Sequence, residues 1–355
     1  MENNVEKFKS IYNVIKDGLN KRINDYNKSL VDNKKGYLND NLELFANLNS
    51  NGKLIRGFLI AIGYKMLKDD IDYSYNLAMA YELFQTSVLI HDDIIDNDNL
   101  RRGKETIHYA NYLKYKDSNE LGAKKVSESI AICMGDYGFF EANKLILNYK
   151  DNPNYYRLFN YYNDIVLKTI EGELTDVVLS FDGRYNLTNT NIEDNVMLVY
   201  KLKTAYYTII GPLSLGLILG GIEEDKLNDI LNFGEKVGIA FQIQDDILGI
   251  YSDMGKVVGS DIKEFKQTIL FSYVNNNKTY LEKLLNYYGK EELTLDDINE
   301  TRKIFKESGA LSYASELMNN LYDESIALID NNSWMKEDDK EIMKGFVEYL
   351  RGRGK

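Results

Sequence analysis

Apolar residues recur every three or four positions through most of the chain. Leu77, Ala80, Tyr81, Phe84 and Val88 form one such stripe, and Leu227, Ile230, Leu231, Gly234, Val237 and Gly238 form another. That period is the mark of a helix with one buried face, so these segments predict long amphipathic helices. Polar, Asn-rich interruptions at Asp32 to Lys35, Lys116 to Asn119, Asp182 to Asn191 and Asn275 to Lys278 predict the connections between them. Pro153 and Pro212 are the only prolines among 355 residues, and no Gly/Ser or Pro-rich stretch reads as a linker. One large all-α domain covering 1–355 is therefore expected, and no repeat of fixed period is present. Ala205 to Ile222 runs without a charge for 18 residues, the lower limit for a membrane span. It contains Pro212 and four glycines and is bracketed by Lys201, Lys203, Glu223 and Glu224, so it reads as a buried central helix and no transmembrane segment is expected.

Charge removes one class of function. Forty-three Lys plus Arg against 55 Asp plus Glu leave a net charge of -12, which repels a polyanion and argues against nucleic acid as a partner. Cys133 is the single cysteine and reads as a small buried residue, so there is no intrachain disulfide. With only His91 and His108 beside it, a Cys/His zinc site is ruled out. Met1 to Ser10 has no apolar run of the signal-peptide kind, and a reducing, cytoplasmic location is expected.

The chemistry is concentrated where apolar runs end in acids. His91-Asp92-Asp93-Ile94-Ile95-Asp96 closes the run from Leu83 to Ile90, and on a helix Asp92 and Asp96 share a face with Asp93 beside them. Phe241-Gln242-Ile243-Gln244-Asp245-Asp246 repeats the pattern late in the chain. Close carboxylates repel unless a cation joins them, and two such helix ends imply a pocket with acids on facing walls. Oxygen donors alone suit Mg²⁺, which keeps waters and takes phosphate oxygens from a substrate, so the implied ligand is a diphosphate. Cations accompany the acids in order: Lys53 and Arg56, then Arg101-Arg102, then Lys203, then Lys256 and Lys266.

Taken together, Asp92 to His108 (DDIIDNDNLRRGKETIH), FQIQDDILG from Phe241, GKVVGSD from Gly255, Gly135-Asp136-Tyr137, Glu171-Gly172-Glu173 and Lys203-Thr204 resemble the trans-isoprenyl diphosphate synthases of the polyprenyl synthetase family. The likeness runs from Gly52 to Thr268 in the family order. It implies a single helical bundle of the isoprenoid synthase type with a central ligand cavity, acting as a homodimer. It also implies condensation of isopentenyl diphosphate with an allylic diphosphate by ionisation and head-to-tail (1'-4) elongation. The implied cofactor is Mg²⁺, three ions with substrate bound, with Mn²⁺ as the alternative. The implied metal set is Asp92, Asp93, Asp96, Asp245 and Asp246, in which Asp92, Asp96 and Asp245 bind directly and Asp93, Asp246 and Asp261 stand near. Arg101, Lys203, Lys256 and Lys266 would hold the allylic diphosphate. Lys53, Arg56, Gln85 and Arg102 would hold isopentenyl diphosphate, and Phe241 would pack near its alkene. Thr204 and Gln242, with Lys203, would serve the developing cation. Arg351 and Arg353 either close over the isopentenyl diphosphate or form a basic tail. His91 and His108 read as structural, which leaves the released diphosphate as base. Departures from the pattern are Leu54 in place of a second basic residue, Gly57 in place of Pro, Gly249 in place of a third aspartate, and Asp176 where Gln is frequent.

Product length is expected to follow the helix that precedes Asp92. Ser87 and Val88, one turn back, are small where relatives that stop at fifteen carbons carry a ring. Phe84, roughly 5.4 Å deeper, is the expected floor, with Tyr81 beneath it. Twenty carbons, geranylgeranyl diphosphate, is the expected product, with twenty-five as the next possibility if Phe84 turns aside. Two other functions use similar residues. A class I terpene cyclase would need neither Lys53 nor Arg56 nor Arg102, and a non-catalytic subunit of a heteromeric synthase tends to lose an aspartate cluster.

Overall fold

The structure, a computed structural model, describes residues 2–32, 35–50, 52–185, 191–251 and 258–353. Helices dominate, as expected. In chain order they are α1 (Glu2–Asp32), α2 (Tyr37–Asn49), α3 (Ile55–Lys65), α4 (Tyr75–Ile95), α5 (Ile107–Tyr115), α6 (Glu120–Ile146), α7 (Tyr155–Tyr185) and α8 (Ile192–Val199). A π-helical segment (Tyr200–Ile210) follows, then α9 (Gly211–Gly220), α10 (Glu224–Tyr251), α11 (Ser260–Lys263), α12 (Ile269–Asn275), α13 (Lys278–Leu284), α14 (Leu295–Glu307), α15 (Ala310–Asp330) and α16 (Glu337–Arg351). Among the described residues the only strands are β1 (Leu100–Arg101) and β2 (Lys104–Glu105), an antiparallel pair that the helical period did not foresee.

Packing divides the chain into two compact units, each built from separate stretches of sequence, which is why no linker marks the division. The N-terminal unit comprises Ser10–Phe159 and Pro212–Ile222. Its core is made by α3, α4, α6 and α9, with Phe58, Ile62, Leu77, Tyr81, Phe84, Ala131, Leu213 and Leu217 buried. Helix α9 crosses α3 at backbone contact: a Cβ on Gly216 would lie 2.0 Å from the Ile60 carbonyl oxygen, and one on Gly63 would lie 2.6 Å from that of Leu213. The apolar helix that begins at Ile192 and ends at Gly220 is long enough to cross a membrane, yet 89% of its most apolar window is buried in the protein, as the central-helix reading expects.

The C-terminal unit comprises Met1–Lys9, Asn160–Gly211 and Glu223–Lys355. Ile192, Val196, Tyr200, Ile243, Phe265, Phe271, Tyr288 and Phe305 pack in its core. The start of α1 lies on α16, where Phe8 meets Tyr349 with ring centroids 5.1 Å apart and Lys7 pairs with Asp338 and Glu341. Helix α14 begins in a capping box, Thr294 and Asp297 each satisfying the other's backbone N–H. The π-helical segment passes directly into α9 at Gly211, and Pro212, which lacks an N–H, falls in the first turn of α9, where proline is tolerated.

Gly216→Ala should force α3 and α9 apart and cost about 1–3 kcal/mol of stability. A urea midpoint equal to that of the unaltered protein would contradict this crossing.

Candidate active site

In the N-terminal unit, α4 is buried along its apolar run and then delivers three aspartates at its C-terminal end. Carboxylates there oppose the helix dipole as well as each other, so the site depends on a cation. Arg101 supplies it. Its Nη2 donates to Asp92 Oδ2 at 3.0 Å and to Asp98 Oδ2 at 3.4 Å, and its Nε donates to Asp93 Oδ1. The β1–β2 hairpin carries Arg101 to this place. Its two turn residues, Arg102 at φ +52° and Gly103 at φ +74°, are both left-handed, the requirement of the tight hairpin turn that matches strand twist. Asp93 is 1% exposed. Burial pushes its carboxyl up to about 7 although Arg101 pulls it down.

Lys53 and Arg56 lie at the start of α3, in a segment held at both ends. Tyr12 donates its hydroxyl to the Lys53 carbonyl, and the Gly57 N–H donates to Glu82 Oε1 at 2.8 Å. Glu82 is a buried carboxylate on α4. Burial raises its pKa, while the Gly57 N–H, Arg56 and Arg102 act in the opposite direction. Gly57 has no room for a side chain, since its Cβ would lie 2.4 Å from Leu19 Cδ2. Arg102 reaches the same segment, its Nη1 3.7 Å from where a Gly52 Cβ would stand.

In the C-terminal unit, the π-helical segment carries Tyr200, Lys203 and Thr204. Two glycines let other helices reach its backbone. A Cβ on Gly172 of α7 would lie 2.5 Å from the Lys203 nitrogen, and one on Gly238 of α10 would lie 2.3 Å from Ala205 Cα. Lys203 Nζ then meets Glu173 and Asp176 of α7, each at 2.8 Å, and Lys266 meets the same Asp176 oxygen at 3.0 Å. Burial would raise the Asp176 carboxyl, but the two lysines outweigh it and hold it at about 2. On α10, Asp245 pairs with Arg353 at 2.9 Å, and that guanidinium lies over the Phe241 ring, 4.4 Å from its centre. The tail is fixed there by Gln244 Nε2, which donates to the Arg351 and Arg353 carbonyls at 3.2 and 3.0 Å. Asp246, next in sequence, turns inward. It accepts the Tyr200 hydroxyl on Oδ2 and Gln242 Nε2 on Oδ1 at 2.8 Å, and Gln242 Oε1 accepts the Thr204 hydroxyl at 2.6 Å. Burial, reinforced by Asp246, pushes the Tyr200 phenol well above its usual range.

Four non-glycine residues among those described have positive φ: Leu54, Asn97, Arg102 and Phe265. They adjoin or include Lys53, Asp96, Arg102 and Lys266. Backbone strain of about 1–3 kcal/mol per residue is thus gathered where the candidate chemistry lies. Among the described residues, no group of three or more acidic, imidazole or thiol side chains closes around a metal position. Asp92 and Asp96 at the C-terminal end of α4, and Asp245 within α10, are hard oxygen donors of the kind taken by an ion that binds one or two carboxylates and completes its shell with water and phosphate oxygens.

The family model for polyprenyl synthetases matches residues 41–305. The geranylgeranyl diphosphate synthase of Saccharolobus solfataricus is 31% identical over 314 residues, 86% of each chain. The short chain isoprenyl diphosphate synthase of Methanocaldococcus jannaschii is 28% identical over 81% of each chain. The chain belongs to the polyprenyl synthetase family. The fold agrees: the crystal structure of geranylgeranyl pyrophosphate synthase from Corynebacterium glutamicum, complexed with isoprenyl diphosphate and magnesium, superposes with a TM-score of 0.85 over 97% of this chain and 98% of that one, at 23% identity.

Against the polyprenyl synthetase pattern, the N-terminal unit brings together Lys53, Arg56 and Arg102 at one segment and Asp92, Asp93 and Arg101 at another, with Gln85 half-buried on α4 one turn from Glu82. The C-terminal unit brings together Lys203 with Lys266, and Thr204 with Gln242. Lys256 lies outside the described residues. Three expectations change. Asp93 and Asp246 lie in the interior, where their carboxylates hold Arg101 and Gln242 and do not stand open for a metal. Ser87 sits against α6, its Oγ 2.2 Å from where a Gly138 Cβ would be, so a ring there meets helix backbone before it meets any tunnel. Phe84 and Tyr81 are fully buried and meet edge to face at 5.2 Å, and Phe139 lies 5.9 Å from Phe84. Cys133, expected inside, is exposed. His91 donates Nε2–H to the Ile132 carbonyl at 3.2 Å and its ring fills the space over Gly135, while His108 Nδ1 is 3.2 Å from the Thr106 hydroxyl. Glu82, Asp176 as a bridge between two lysines, and Tyr200 were missed. A charged residue within the apolar stripe of α4 was the one available signal, and it pointed to Glu82.

Arg101→Leu should leave Asp93 as an uncompensated buried carboxylate. Because an acid with a raised folded pKa favours folding at low pH and loses that contribution as pH rises through it, metal-free Arg101→Leu should be destabilised more at pH 8 than at pH 5.5. Equal losses in urea melts at the two pH values would contradict the pairing.

Proposed function

We propose that this protein is a trans-prenyltransferase that elongates an allylic diphosphate with isopentenyl diphosphate and releases the twenty-carbon product. The supply of cations carries this reading. Lys53, Arg56 and Arg102 meet at the start of α3, Arg101 bonds Asp92 and Asp93, and Lys203 and Lys266 share Asp176, more cations than the single diphosphate of a terpene cyclase would need. Mg²⁺, when bound, would neutralise diphosphate oxygens, with Asp92, Asp96 and Asp245 as its protein ligands. Arg101, Lys203 and Lys266 would hold the leaving diphosphate and stabilise its charge as the allylic C–O bond breaks. Thr204 and Gln242 would present oxygen dipoles to the allylic cation. The alkene of isopentenyl diphosphate, bound by Lys53, Arg56 and Arg102, then forms the new C–C bond, and the adduct loses a proton to the released diphosphate. The family match spans residues of both units, which supports one functional domain.

A homodimer belongs to the same reading. Leu167, Ile170, Leu174 and Phe181 are exposed at helical spacing on α7, and Phe140 is 70% exposed on α6. Apolar rows of this kind mark contact surfaces. Light scattering should give about twice the 41.0 kDa of one chain, and a value near one chain at micromolar concentration would contradict the dimer.

Activity should require a divalent metal and both aspartate ends. Asp92→Ala and Asp245→Ala should each lower turnover by roughly 100-fold or more at saturating substrate while the fold is kept. Near-normal turnover in either would remove the metal assignment. Phe84→Ala should lengthen the product beyond twenty carbons, and Val88→Phe, at a half-buried position one turn before Asp92, should shorten it to fifteen. Chromatography of the dephosphorylated alcohols reads both, and unchanged lengths in both would overturn the α4 floor.

A further inference from the structure

Tyr200 opens the π-helical segment and is 4% exposed. An apolar environment would suit the ring alone, yet the hydroxyl is fully used. It donates to Asp246 Oδ2 and accepts the Ile269 N–H at 2.8 Å. That N–H is one of the donors at the start of α12 that the helix itself leaves unsatisfied. The bonds continue in one direction: Asp246 Oδ1 accepts Gln242 Nε2 at 2.8 Å, and Gln242 Oε1 accepts the Thr204 hydroxyl at 2.6 Å. A side-chain amide has a donor end and an acceptor end, and the acid beside it decides which way it faces. With Asp246 fixed by Tyr200, the NH₂ of Gln242 points to the acid and its carbonyl oxygen points to Thr204. With Asp246 free to turn, the amide can rotate and present its NH₂ where the oxygen belongs, reversing the sign of the dipole.

We propose that Tyr200 is a positioning residue for the prenyl transfer, setting the orientation of Gln242, and through it Thr204, by way of Asp246. This rests on the function proposed above, in which those two oxygens serve the allylic cation. The hydroxyl acts through three other side chains and touches no substrate. Its effect therefore falls on the rate of the chemical step and not on the binding of either diphosphate.

Tyr200→Phe keeps the ring and removes the hydroxyl. It should lower kcat by roughly 10- to 100-fold, with the KM for each diphosphate within about twofold of the unaltered enzyme. In a Gln242→Leu background the same change should lower kcat by less than about twofold, because the group it acts through is gone. Unchanged kcat in Tyr200→Phe, or the same fold-loss in both backgrounds, overturns the proposal. If Tyr200→Phe does not fold, Asp246→Asn tests the same link: its amide would offer an N–H where Gln242 needs an acceptor, so kcat should fall by a similar factor, and kcat equal to that of the unaltered enzyme overturns it. An unaltered enzyme that makes no elongated product would instead remove the functional reading itself, which separates the two failures.

Discussion

Carboxylates gathered on packed helices must be neutralised, and in this protein three such groups are met by cations of the chain itself. Arg101 bonds Asp92, Asp93 and Asp98, Lys203 and Lys266 share Asp176, and Arg353 sits on Asp245. Such pairs cost desolvation and contribute little net stability unless the geometry is good, so their concentration here is better explained by use than by folding. Under the proposed function, Arg101, Lys203 and Lys266 are also the residues that would hold a diphosphate, and Arg101, giving up its acids to do so, would leave Asp92 open to a metal.

Precise placement of these groups depends on small residues and strained ones. Gly172 and Gly238 allow backbone contact with the π-helical segment, and that contact sets Lys203 beside Asp176 and Thr204 beside Gln242. Leu54 and Phe265, in left-handed conformation, turn the chain immediately before the α3 start and Lys266. The burial of the flanking helices, with Phe58 and Phe271 fully inside, supplies the free energy that holds these conformations.

Much of the helical architecture was legible from period alone, because α4 and α10 each show an apolar face that carries paired aspartates, at the end of α4 and within α10. The type of site was legible too, since two such pairs with cations in order point to a diphosphate. What could not be read was rotation. Asp245 and Asp246 are adjacent in sequence, and only the contact of α10 with the π-helical segment decides that Asp246 faces inward and Asp245 meets Arg353. Ser87 is small for the sake of the α6 crossing, a reason that spacing does not distinguish from a tunnel wall. Tyr200 in an apolar stretch reads as core, and its hydroxyl partners come from segments 46 and 69 residues away. The hairpin escaped because two residues per strand leave no alternation to detect.

If the internal cations hold these acids until a diphosphate arrives, metal and diphosphate must bind together. Calorimetric titration of the unaltered protein with Mg²⁺, alone and in the presence of inorganic diphosphate, measures this directly. Diphosphate should tighten Mg²⁺ binding by at least about tenfold, within the usual range of coupling between linked ligands. Mg²⁺ binding of equal strength with and without diphosphate would contradict it.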